Sequence, residues 1–268
     1  MQDVQNTPAG IPLAIDRVGV KGLRFPLLVQ DREQGHQHTV SRVDMFVDLP
    51  AQFKGTHMSR FVQILQDFSG ILDYPNFKNL LREVRQRLQA HRAHLSFSFP
   101  YFLRQSAPVS GSSSLLDYQC ALRGELNDAD QLLMFLQVQV PVMTVCPCSL
   151  AIAAEGAHSQ RALITMNCRF SGMLWLEDLI HIGQNAASCQ VHALLKRADE
   201  KFVTEKAFSS PTFVEDVVRN AAHQLQSHDL ISWYRVEVES FESIHNHNAY
   251  ACIETPSTPE SGLTFSHT

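Results

Sequence analysis

Val43-Asp-Met-Phe-Val-Asp-Leu49, followed after a short polar passage by Ser59-Arg-Phe-Val-Gln-Ile-Leu-Gln-Asp-Phe68, decides the fold. In the first stretch Val43, Met45, Val47 and Leu49 alternate around Asp44 and Asp48, the period of a half-buried strand. In the second, Phe61, Ile64, Leu65 and Phe68 fall at helical spacing. A weaker extended stretch, about residues 18–29, precedes them. A second helix is expected over 75–92, where Leu80, Leu81, Val84 and Leu88 share one face. Two alternating strands follow, Leu95/Phe97/Phe99 and Leu116/Tyr118/Cys120/Leu122. The first half therefore reads β-β-α-α-β-β.

The same order recurs. Strands are expected at 132–145 and 162–170, helices at 174–182 and 212–225, and strands at 232–241 and 249–253. Residues 190–211 read as a long irregular stretch, a type of segment that is usually functional or disordered. Asn127-Asp-Ala-Asp130 marks the junction, giving units 1–127 and 128–254. The Pro/Ser/Thr-rich tail, 255–268, lacks periodicity and is expected to be loose.

With 268 residues, 44% hydrophobic and 18% charged, the chain has ordinary globular composition and ample core. No apolar run is long enough for a membrane span, and the polar start is unlike a secretory signal. Six cysteines in a chain of this length are not a disulfide scaffold and suit a reducing compartment. A cytoplasmic protein is expected. The net charge of -5 argues against broad nucleic-acid binding, yet allows a polyphosphate ligand met by a local basic cluster.

Chemistry concentrates in a few segments. Cys146-Pro-Cys148 should end a strand, because Pro147 cannot donate within a sheet and disfavours helix at Cys146. Its thiols are candidate ligands or nucleophiles, against the plainer reading of two packed small side chains. Cys120, Cys168, Cys189 and Cys252 lack such spacing and read as packing residues. His158 lies in a Gly/Ser-flanked turn, and as a ligand it would need its second ring nitrogen held by a carboxylate or carbonyl. Arg161, three residues on, could meet a phosphate or simply open a strand. His245 and His247, two apart, face one side if extended, with Glu242 on the other. Glu200 ends the charged run Lys196-Arg-Ala-Asp-Glu, whose plain reading is a solvated face. Glu215 fits a capping box with Thr212. Lys54 and Arg60 flank a helix start that would suit an anion.

Taken together, Lys54-Gly-Thr-His-Met-Ser-Arg60, Cys146-Pro-Cys-Ser149, Gly156-Ala-His158, Gln160-Arg161, Leu195-Lys-Arg-Ala-Asp-Glu-Lys201, Val203-Thr-Glu205, Phe213-Val-Glu-Asp216 and Glu242-Ser-Ile-His-Asn-His247 resemble the type IB GTP cyclohydrolases. The resemblance runs from about Val4 to Ile253. It implies an α+β, bimodular tunnelling fold whose antiparallel sheets form barrels in a homotetramer, with sites at subunit interfaces. It implies hydrolysis of GTP to 7,8-dihydroneopterin triphosphate and formate, the opening step of folate-type pterin synthesis. By the same comparison Cys146, His158 and Glu200 are implied ligands of a divalent zinc, manganese or iron. Glu215 is the implied anchor for guanine. His245, His247 and Glu242 are implied acid–base residues or further ligands, and the role of Cys148 stays open. Lys54, Arg60, Arg161, Lys196 and Arg197 are candidate triphosphate contacts.

Two other functions compete. A nitrile oxidoreductase of the same fold would use a cysteine nucleophile and NADPH without a metal; the clustered histidines and Glu200 favour hydrolysis. A non-catalytic metal-binding assembly protein would lose its fold with its metal and leave GTP untouched.

Overall fold

The structure is a computed structural model that describes residue 5 and residues 7–256. Its strands are β1 (Ile15–Asp31), β2 (Gly35–Leu49), β3 (Ile71–Leu72), β4 (Ala93–Ser106), β5 (Ser113–Leu126), β6 (Leu132–Val145), β7 (Ser159–Phe170), β8 (Cys189–Gln190), β9 (Ile231–Ser240) and β10 (Ala249–Glu254). The helices are α1 (Met58–Asp67), α2 (Tyr74–Arg87), α3 (Pro147–Ile152), α4 (Leu176–Ala186), α5 (Arg197–Ser209) and α6 (Val214–Gln226). Among these residues no helix is long and apolar enough to cross a membrane.

The strands form a single sheet in the order β10-β9-β7-β6-β5-β4-β2-β1-β3, with β8 on β6. Every long strand pairs antiparallel with its neighbours. The doubled β-β-α-α-β-β order is present, with one addition that repeats and with α3 and α5 added in the second half only. The two-residue β3 follows α1 and pairs with β1; the two-residue β8 follows α4 and pairs with β6. The halves meet where β5 pairs with β6 through the turn at Asn127–Gln131. Asp130 adopts the left-handed φ of 59° that this turn needs, a conformation that Asp and Asn accept better than most residues. Its carboxylate also binds Arg82 and Lys78 of the first half (2.5 and 3.0 Å).

Alternation assigns the faces. Val43, Met45, Phe97, Val138, Ile164 and Val236 are each fully buried under the helices. Their neighbours in sequence, among them Asp44, Ser96, Gln137, Thr165 and Glu237, line a cleft on the opposite, polar face, together with Arg123. Helix α1 buries Phe61, Ile64 and Leu65, and α2 buries Phe77, Leu80, Leu81 and Val84. Each such side chain contributes about 1.5–3 kcal/mol of burial. Phe77 lies so close over Gly124 of β5 that a Cβ there would overlap its ring. Glycine at 124 sets the depth at which α2 packs.

The second half's helices are held by the first half's hairpins. Tyr101 Oη of β4, fully buried, lies 2.8 Å from Glu177 Oε1 of α4 and 3.0 Å from Asp31 Oδ2. Burial first, and then the two carboxylates, pushes this phenol far above its ordinary range. Arg32, beside it, binds Asp178 at 2.6 Å and covers the Trp175 ring.

Four expectations about the elements need correction. Residues 190–211 are not irregular: α5 occupies most of them, and it escapes apolar periodicity because only Asp199 and Ala207 of its residues are buried. The short α3 was not expected; Cys146 is its N-cap and Pro147 its first residue, where proline's fixed φ suits a helix start. Cys252 is exposed rather than packed, whereas Cys120, Cys168 and Cys189 are buried. Thr255, the expected start of a loose tail, is bonded to Tyr234, its N–H donating to the carbonyl at 3.0 Å. The rest of that tail, 257–268, lies outside the described residues.

Candidate active site

Register builds the site. The β6–β7 pairing runs Met143↔Arg161, Thr144↔Gln160, Val145↔Ser159. One step further Cys146 stands opposite His158, and the Cys146 N–H donates to the His158 carbonyl at 3.1 Å. Directly opposed antiparallel residues project to the same face with Cβ atoms about 4.5–5.5 Å apart. The backbone bond brings Cys146 and His158 together just past the last ladder pair, at the end of β6 where Pro147 stops the strand as expected. The Cys146 sulfur also accepts the Ser149 N–H at 3.4 Å, capping α3.

Behind His158 lies a polar row across three strands. Gln160 Nε2 donates to Glu242 Oε1 (3.2 Å) and to Ser240 Oγ (3.3 Å), and Ser240 donates to the same Glu242 oxygen (2.9 Å). A carboxylate only accepts, so the Gln160 amide nitrogen must face Glu242 and its oxygen must face His158. That oxygen is 2.9 Å from His158 Nδ1. Nδ1 therefore carries a proton, with Glu242 Oε2 a further 3.7 Å contact, and Nε2 is the nitrogen turned away from this row. The His158 and Glu242 side chains are only 13% and 12% exposed. This is the carboxylate-and-carbonyl backing that a ligating histidine requires. Sequence reasoning named His158 and Glu242 but missed Gln160 and Ser240. Their strand parity, shared with Glu242, was the available signal.

The end of β6 is also the anchor for the helices that carry the candidate carboxylates. The Val145 N–H donates to Ser188 Oγ (3.2 Å), and the Val145 carbonyl accepts the Thr212 N–H (3.1 Å). Ala207 of α5 packs on Val145 and Cys189, with Ala157, Val203 and Phe208 around them. Glu200 sits exposed at the start of α5, and Glu215 exposed in the first turn of α6. The capping-box reading of Glu215 is wrong. Phe213 is the N-cap, without a side-chain bond, and the Thr212 hydroxyl turns away to donate to the Ser210 carbonyl. Docking the linker on Val145 sets Thr212 too early for the cap.

Other candidates are scattered. His245 and His247 lie exposed in the β9–β10 loop with stacked rings, centroids 5.1 Å apart. Cys148 is exposed on α3. Arg161 points to the polar face, opposite to Gln160 and Ala162 on either side. Lys54 and Arg60 follow the far end of β2. Pairings Val47↔Ala93, Ala93↔Leu126 and Leu126↔Leu132 align that end with the beginning of β6, not with Val145. With 14 residues in β6, the two ends are roughly 40 Å apart. Among the described residues no three His, Cys, Asp or Glu side chains are gathered so as to hold a metal. The adjacent pair of donors is Cys146 and His158, a thiol and a backed imidazole, which suits a borderline-soft divalent ion.

The fold and the family now follow from comparison. Urate oxidase from Bacillus subtilis 168 superposes with a TM-score of 0.51 at 7% identity, covering 89% of this chain and 98% of that one. This likeness is of fold alone, and it makes the architecture a tunnelling fold. The family model for type I GTP cyclohydrolase folE2 matches residues 1–251. "GTP cyclohydrolase FolE2" of Nitratidesulfovibrio vulgaris (strain DSM 19637 / Miyazaki F) is 58% identical over 254 residues, covering 95% of this chain and 98% of the relative. The protein of the same name from Maridesulfovibrio salexigens is 57% identical over 256 residues, covering 96% and 100%. The chain belongs to the type I GTP cyclohydrolase FolE2 family.

Proposed function

We propose that this chain hydrolyses GTP to 7,8-dihydroneopterin triphosphate and formate, with Cys146 and His158 holding a divalent metal. The observation that carries the reading is the opposed Cys146/His158 pair with Gln160 and Glu242 fixing the imidazole. A mixed sulfur, nitrogen and oxygen donor set does not choose sharply between zinc, iron and manganese. Glu200 is the third donor in this reading, its exposed side chain turning in from the start of α5. Such an ion, when bound, lowers the pKa of water from 15.7 to about 7 and so supplies hydroxide at neutral pH.

The protein's own groups do the rest. Glu215, on a helix docked beside Cys146 through Thr212, accepts the paired N–H donors of guanine. His245 and His247 follow Glu242 in sequence and have the chemistry to give a proton to the purine ring nitrogen as its bond to carbon opens, a step typically worth about 10²–10⁴-fold. A second water then releases formate, and the ribose carbons rearrange and close the new ring with loss of one water. The triphosphate, which is retained, needs cations. Lys54 and Arg60, at the far end of the sheet, would reach it from another copy, which is the reason to expect an oligomer, a homotetramer by resemblance, with shared sites. A cytoplasmic location fits the cysteine usage.

The test is incubation with GTP and each metal, followed by oxidation and pterin fluorescence. Turnover that fails with His158→Ala and Cys146→Ala, while the oligomer persists, supports the reading. Nitrile-dependent NADPH loss without a pterin would reverse it.

A further inference from the structure

Asp199 is fully buried at the first turn of α5, one residue before Glu200. Its Oδ1 accepts the backbone N–H groups of Val109 and Ser110, both at 2.8 Å. Its Oδ2 accepts the Ser110 hydroxyl at 2.6 Å and the Lys196 N–H at 2.9 Å. One carboxylate thus joins the β4–β5 hairpin of the first half to the start of a second-half helix. Apart from Asp199, α5 buries only Ala207, near its other end. Nothing apolar anchors the turn that carries Glu200, and a helix end without tertiary packing frays.

We propose that Asp199 is the positioning residue of the metal site, fixing the first turn of α5 on the neighbouring hairpin so that Glu200 is aimed at Cys146 and His158. This rests on the reading of Glu200 as a ligand. Outer groups that orient a ligand are typically worth 10–100-fold in metal affinity. The first half, which holds neither Cys146 nor His158, then acts on the site through this contact.

Asp199→Asn separates the two ties. The amide oxygen still accepts both hairpin N–H groups, and the amide nitrogen can donate to Ser110 Oγ. That nitrogen cannot accept the Lys196 N–H, so the helix start alone is released. Zinc affinity, measured by chelator competition on the full-length oligomer, is compared for wild type, Asp199→Asn, Glu200→Gln and the double variant. The expected result is a loss of about 10-fold or more in Asp199→Asn, with no further loss on adding it to Glu200→Gln. If Glu200→Gln binds zinc as wild type does, the ligand reading fails and the proposal falls with it. If Glu200→Gln is weakened but Asp199→Asn is not, the proposal alone is overturned. Equal losses in both backgrounds would show a general structural role and also overturn it. Should Asp199→Asn not fold, Ser110→Ala, which removes the hydroxyl bond to Asp199 together with two contacts to Ser112 and keeps the cap, tests the hairpin tie against Glu200→Gln in the same way.

Discussion

The Cys146 N–H donates to the His158 carbonyl at 3.1 Å, one step beyond the last pair of the β6–β7 ladder, Val145↔Ser159. Nearness of thiol and imidazole is therefore a property of strand register. A shift of one residue in the β6–β7 pairing would put the two side chains on opposite faces.

Replacing either donor should remove turnover without removing the fold. Cys146→Ala and His158→Ala are expected to lose at least about 10²-fold in kcat, with the oligomer unchanged by size-exclusion chromatography. Loss of assembly in both variants would favour the structural alternative.

Gln160 should matter through His158. Gln160→Leu removes the acceptor of the Nδ1 proton and the donor to Glu242. A 10–100-fold fall in metal affinity is expected, whereas Gln160→Glu, which keeps an acceptor for Nδ1, should retain more of it. Equal affinity in wild type and Gln160→Leu would mean that His158 needs no such support.

Thiol labelling should divide the cysteines. Burial holds the Cys120 and Cys168 thiols high, Cys168 pushed up to about 12, so both stay inert while the protein is folded. Cys148 is expected to react whether or not metal is present, and Cys146 only after chelation. Peptide mass spectrometry reads both outcomes, and labelling of Cys146 in the metal-loaded enzyme would argue against its ligand role.

The hinge between the halves gives a pH signature. The Arg82 guanidinium first, and then Lys78, holds the Asp130 carboxyl below the usual carboxylate range. A group with a depressed folded pKa stabilises the fold above its unfolded pKa, about 3.9, and loses that contribution as pH falls toward the folded value. Asp130→Asn keeps a residue tolerant of the left-handed turn and removes only the charge. Its Tm should lie below wild type at pH 7, and the gap should close as pH drops below about 4. A gap independent of pH would exclude the ion pairs as its cause.

What was legible in the sequence follows from periodicity. The long strands and α1, α2, α4 and α6 each bury an apolar stripe, and their order could be read in both halves. Helix α5 could not, because it is held by the Asp199 carboxylate and a single alanine, which leave no apolar pattern. Cys146 and the strand end at Pro147 were readable because proline has one meaning there. The partnership of Gln160 with Glu242 required knowing which strands are neighbours, and a local pattern carries no register between β7 and β9. For the same reason Lys54, Arg60 and Cys146 looked like parts of one site, whereas the sheet separates them by its full length within a chain.

On the proposed reading, one metal per chain, held at Cys146 and His158, is needed to open the purine of GTP. The most direct measurement is formate release from GTP by protein stripped with a chelator and then reloaded with zinc, manganese or iron, with metal content determined alongside. Activity should vanish on stripping and return as occupancy approaches one metal per chain in wild type, but not in His158→Ala. Full turnover by the metal-free enzyme would contradict the account.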